Sequence, residues 1–101
     1  MGVIMTLRVR GDATKVEALA AEDPTVLQKI VDRAKEHGVI SHRFYGTEEE
    51  VLVVDEWPSP EAFRAFFDAS PEIRGVMDRA GVTSQPEIVF WRKLDTHDDV
   101  G

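Results

Sequence analysis

Three segments of this 101-residue chain are apolar on both of the faces a β-strand would present. In Val51–Trp57, Val51 and Val53 alternate with Leu52 and Val54. Ile88 and Phe90 alternate with Val89 and Trp91, and Ile40 and Phe44 with Val39 and Tyr45. Successive strand residues point to opposite sides, so a sheet with one solvated face should alternate apolar and polar positions. These segments do not. Both faces of the sheet must be covered, and that requirement constrains the fold more than any single motif.

The helical segments are too few to cover both. Val3–Arg10 reads as a first strand, closed by Gly11-Asp12. Val16, Leu19 and Ala20 suggest about two helical turns. Asp23-Pro24 then has the form of a helix start, and Leu27, Ile30, Val31 and Ala34 make one apolar stripe that Gly38 terminates. Val39–Tyr45 and Val51–Trp57 form a second and third strand around a polar connection, Gly46–Glu50. Ser-Pro pairs at 59–60 and 70–71 each suggest a capped helix start, with Pro71 breaking one helix into two pieces. The first piece carries Phe63, Phe66 and Phe67; the second carries Ile73, Val76, Met77 and Ala80, and stops at Gly81. Pro86–Arg92 is the fourth strand, and residues 94–101 form a polar tail after a single domain spanning 1–93.

The order β-α-β-β-α-β predicts an α+β, ferredoxin-like split βαβ fold. Right-handed crossovers place the helices on one face of a four-stranded antiparallel sheet. The other face is then an apolar patch in need of a partner. A second copy related by a two-fold axis, giving a dimeric α/β barrel, is the simplest expectation.

Charge and composition remove several classes of function. Twelve basic against nineteen acidic side chains leave a net charge of −7, which argues against nucleic acid or an anionic membrane as partner. No cysteine is present, so disulfides, thiolate nucleophiles and cysteine-ligated metals are excluded. Three scattered histidines lack paired ligand spacing, so no metal site is expected. Phosphate-binding glycine loops, GxSxG and HExxH are all missing. With no signal-like N-terminal run and no membrane-spanning stretch, a cytoplasmic location is the expectation.

Chemistry concentrates where the third strand ends, at Asp55-Glu56-Trp57. Asp55 and Trp57 share one face. In an apolar pocket such a carboxylate could shuttle a proton; alternatively it forms a structural ion pair with Arg8, Arg43 or Arg92, the reading we favour from sequence. His42 stands mid-strand and is either a pocket-facing base or a satisfied core or interface histidine, the commoner fate of such a residue. His37, at a helix C-terminus, suits the helix dipole. Trp57, Phe63, Phe66 and Trp91 could stack on an aromatic ligand, although the helix phenylalanines also have the spacing of any buried stripe. Arg43 and Tyr45 share a strand face and could hold a carbonyl or carboxylate, or meet a second subunit.

Gly11-Asp12, Gly38, Arg43-Phe44-Tyr45, Asp55, Trp57 and Phe63 in this order resemble the antibiotic-biosynthesis-monooxygenase family of the dimeric α/β-barrel superfamily. The resemblance runs from Val3 to about Lys93. It implies a homodimer with a pocket between sheet and helices, and oxidation of a phenolic or quinoid compound without metal, flavin or other cofactor. In that reading His42 or Asp55 removes a proton, while Trp57, Arg43, Tyr45, Phe63, Phe66 and Trp91 contact the substrate. The alternative is a non-catalytic dimer of the same fold that binds an apolar ligand or supports a pathway complex. Two departures matter. Phe66 stands about where quinol-oxidising members carry a histidine, and of the haem-degrading residues only Trp57 is matched, with Met5 and Val76 or Met77 at the other places. Haem degradation is therefore disfavoured.

Overall fold

The computed structural model describes residues 2–101. Four strands and four helices follow the order β1 (Val3–Arg10), α1 (Ala13–Glu22), α2 (Pro24–Glu36), β2 (Ser41–Gly46), β3 (Glu50–Trp57), α3 (Pro60–Asp68), α4 (Glu72–Arg79) and β4 (Glu87–Trp91). The sheet is antiparallel throughout, with strand order β2-β3-β1-β4. This is the ferredoxin-like arrangement expected from the element order. β1 and β3, the two longest strands, lie at the centre, and the shorter β2 and β4 form the edges.

Local chemistry sets most of the boundaries. Asp12 caps α1 by accepting the Thr14 N–H at 2.9 Å, and its carboxyl is held below its ordinary value chiefly by hydrogen bonds from Thr14. That helix runs for ten residues, longer than the two turns expected. Ser59 caps α3, its hydroxyl accepting the Ala62 N–H at 3.2 Å, with Pro60 at the first helical position. Gly38 and Gly81 follow α2 and α4 with φ of +91° and +69°, the left-handed conformation that closes a helix at little cost only for glycine.

Two expected caps are used differently. Asp23 makes no capping bond to the backbone; its carboxylate accepts from the Thr25 hydroxyl and pairs with Arg79 instead. Ser70 does not cap α4. It is buried and donates its hydroxyl back to the Phe66 carbonyl at 2.7 Å, sealing the end of α3, and α4 begins at Glu72.

All four helices pack on one side of the sheet, over Met5, Leu7, Val9, Val51 and Phe90. The densest part of this core is aromatic. Phe63 meets Trp57, Phe66, Phe67 and Phe90 with ring centroids 5.4–6.2 Å apart, within the range of favourable ring pairs. The opposite side carries Ile4, Leu52, Val54, Tyr45, Val89 and Trp91, with Tyr45 and Trp91 each 53% exposed. No helix covers it.

Helices α2 and α4 are tied by a two-pronged ion pair, Arg33 to Glu72, at 2.5 and 2.9 Å. The Arg33 hydrogen bond is the main reason that the Glu72 carboxyl falls from an ordinary 4.5 to about 2. A carboxyl whose folded value is depressed stabilises the fold fully above its unfolded value and loses that contribution as pH falls through the folded one. Glu72→Gln is therefore expected to lower the urea midpoint near neutral pH, with the gap to wild type closing as pH falls to about 2. A gap of equal size at both pH values would contradict this role.

Candidate functional site

The hairpin between β2 and β3 determines which side chains meet. Thr47 closes its turn, its N–H donating to the Glu50 carbonyl and its hydroxyl accepting the Glu50 N–H. Gly46 then pairs with Val51, and counting back along both strands places His42 directly opposite Asp55. Both side chains point to the helix-covered face. His42 Nδ1 lies 2.7 Å from Asp55 Oδ1. Trp57, two residues further along the same face, donates its indole N–H to Asp55 Oδ2 at 3.1 Å.

Asp55 is only 4% exposed, yet each carboxylate oxygen has a nitrogen partner. That is the condition under which a buried carboxylate is tolerated. Indole N–H is a donor only, and an ionised carboxylate is an acceptor only. With Asp55 ionised, the His42 proton facing it resides on Nδ1, and in the neutral ring Nε2 carries the lone pair that a ligand can meet. An acid–base group of fixed tautomer is the result.

The pair borders a cavity of about 120 Å³ between the sheet and α2, α3 and α4. Leu7, Val53, Ile30, Phe63, Phe66 and Met77 contribute to its walls, and among the described residues His42 and Asp55 are the only lining ones with polar side chains. Phe44, on the same strand face as His42, also borders the space, its ring edge-on to the imidazole at 5.0 Å. Phe44 was not singled out as a ligand contact from sequence, although its parity with His42 was the available signal.

The residues expected at the site divide into three groups. His42, Asp55, Phe63 and Phe66 come together around the cavity. Trp57 does not line it. The indole is fully buried behind the cavity wall, against Phe63 and Phe66 at 5.7 and 5.2 Å, so it cannot stack on a ligand there and acts on Asp55 instead. Arg43, Tyr45 and Trp91 lie on the open sheet face; Trp91 donates to the Thr6 hydroxyl at 2.8 Å. The ion pair expected between Asp55 and an arginine is replaced by the histidine and indole bonds. Arg8 pairs with Glu50 across the open face, the wrong side of the sheet to reach Asp55. His37 Nδ1 lies 2.9 Å from the Arg33 carbonyl oxygen of its own helix end, which accepts the ring N–H, and the residue does not line the cavity. No cluster of three His, Asp or Glu side chains suited to a metal ion occurs among the described residues. No helix among them is long and apolar enough to cross a membrane.

No protein-family model and no curated protein sequence matches the chain. Solved structures do match over nearly its full length. A monooxygenase from the ActVA-Orf6 gene of Streptomyces coelicolor, solved in complex with the ligand nanaomycin D, superposes with a TM-score of 0.66 at 21% identity, covering 98% of this chain and 93% of that one. SnoaB, a cofactor-independent oxygenase from Streptomyces nogalater, gives 0.62 at 15% identity, covering 97% and 98%. A dimeric ferredoxin-like protein from an uncultured marine organism gives 0.64 at 12%, covering 98% and 93%. The chain thus shares the ferredoxin-like fold of these proteins, the fold that its sequence resemblance implied. At these identities the likeness establishes the fold and leaves the chemistry to the site.

Proposed function

We propose that this protein is a cofactor-independent monooxygenase-like enzyme acting on a phenolic or quinoid small molecule. The observation that carries this reading is the His42–Asp55 pair, 2.7 Å apart and the sole polar side chains on the wall of an otherwise apolar cavity. A base held in one tautomer beside a greasy pocket suits removal of a hydroxyl proton from an aromatic compound. The fold shared with an oxygenase described as cofactor-independent adds support of a weaker, fold-level kind.

In this mechanism His42 Nε2 takes the phenolic proton, and Asp55 stabilises the resulting imidazolium. Trp57 holds Asp55 in place from behind. Ionisation raises electron density at the ring carbon para to the oxygen, which reacts with dioxygen to form a carbon–oxygen bond. The peroxide anion takes back the proton held by His42, and the resulting hydroperoxide loses water with the ring hydrogen to leave a carbonyl, so one oxygen atom enters the product and the other leaves in water. Phe63 and Phe66 hold the ring; no positively charged side chain is required.

The dimer belongs to the same proposal. Ile4, Leu52, Val54, Val89 and Trp91 make an apolar surface that a second copy, applied about a two-fold axis, would cover. Sedimentation at micromolar concentration is expected to give twice the chain mass, and a stable single protomer would contradict it.

Oxygen uptake with a panel of quinols tests the chemistry. Loss of a positioned general base typically costs about 10²–10⁴ in rate, and His42→Ala is expected to fall in that range. Equal rates in the two proteins would remove His42 from the mechanism.

A further inference from the structure

We infer that the molecule this cavity accepts is a phenol with a single six-membered ring and no charged substituent, and that Phe44 sets this limit. The inference rests on the proposed use of His42 for the position of the hydroxyl, but its other supports are independent of catalysis.

Size comes first. A cavity of about 120 Å³ is close to the ~150 Å³ apolar cavity known to take up benzene. One ring fills it. The α3 side of the cavity is walled by the chain's own aromatics: Phe63 and Phe67 stack at 5.4 Å, and Phe66 packs on Trp57 at 5.2 Å. None of these rings can turn aside freely, because each is held by its neighbours in a densely packed core.

Charge comes second. No lysine or arginine lines the cavity. Arg33, on the neighbouring helix, is committed to Glu72 by both prongs of its guanidinium. A carboxylate or phosphate on the ligand would therefore enter apolar space without a counter-ion, near the buried Asp55 carboxylate. A hydroxyl has one place to go, against His42. That orientation sets the ring beside Phe44, whose side chain stands edge-on to the imidazole and is 39% exposed, so it borders both the cavity and solvent. Removing that ring would extend the space outward at the hydroxyl end, where a fused ring could project.

Equilibrium binding under anaerobic conditions tests this without any turnover. The probes are p-ethylphenol, naphthol, hydroxyanthracene and p-hydroxyphenylacetate, each titrated into the wild type and into Phe44→Ala. If burial of apolar area alone decided affinity, hydroxyanthracene would bind best. The expected order is the reverse: p-ethylphenol at least about tenfold tighter than hydroxyanthracene, since failure to fit forfeits more than the ~1.4 kcal/mol that a factor of ten represents. The same margin is expected over p-hydroxyphenylacetate, whose anion would be buried unpaired. Phe44→Ala is expected to raise naphthol affinity relative to p-ethylphenol. Preference for the three-ring compound, equal binding of the anion, or no binding of any probe would overturn the inference. An unchanged naphthol ratio in Phe44→Ala would overturn the part assigned to Phe44. The outcome separates from the catalytic reading: one-ring preference with full oxygen uptake in His42→Ala retains this inference and defeats the base assignment, and three-ring preference with activity lost does the opposite.

Discussion

A carboxylate buried among apolar side chains has to be hydrogen-bonded, and the arrangement around Asp55 follows from that need. Its two oxygens are met by His42 from the neighbouring strand and by Trp57 from its own. Each partner is in turn fixed by the fold: His42 by the hairpin register, and Trp57 by the phenylalanines of α3. The structural requirement and the chemical opportunity are the same contact. Satisfying Asp55 orients the imidazole, and the orientation leaves its second nitrogen for whatever occupies the cavity. Exchange of any of the three residues would alter both the packing and the site.

The two sheet faces divide the labour of the molecule. One is roofed by helices but not completely filled, and the gap is bordered by the histidine–carboxylate pair. The other is bare, and its apolar residues, with Tyr45, Val89 and Trp91 among those exposed, stand beside Arg43 and the Arg8–Glu50 pair. Parity assigns each residue to its role. A one-residue slip of β2 against β3 would turn His42 and Phe44 outward and bring Arg43 and Tyr45 over the cavity, putting a guanidinium where the imidazole stands. The turn at Thr47–Glu50 prevents that slip through its own hydrogen bonds.

Much of this was legible in the chain. Element order followed from periodicity, and the helix ends from Ser59-Pro60, Gly38 and Gly81. The second Ser-Pro pair misled because a serine just past a helix can satisfy a carbonyl four residues back as readily as it caps the next helix, and Ser70 does the former. An arginine partner for Asp55 was favoured on charge, but Arg8 and Arg43 point to the sheet face opposite Asp55, so geometry outweighs Coulomb attraction. Trp57 looked accessible because it ends a strand. The fold returns immediately through Pro58 into α3, and Phe63 and Phe66 close over the indole. A cavity's existence and volume depend on how helices settle on a sheet, which no local pattern encodes.

The central claim is that Asp55 fixes the His42 proton on Nδ1 and leaves Nε2 bare. Nitrogen-15 NMR of the imidazole side chains reads this directly, at a pH where the ring is neutral. The account predicts a single His42 tautomer with Nδ1 protonated and Nε2 unprotonated. A ring protonated on Nε2, or one exchanging between both tautomers as a free imidazole does, would contradict it.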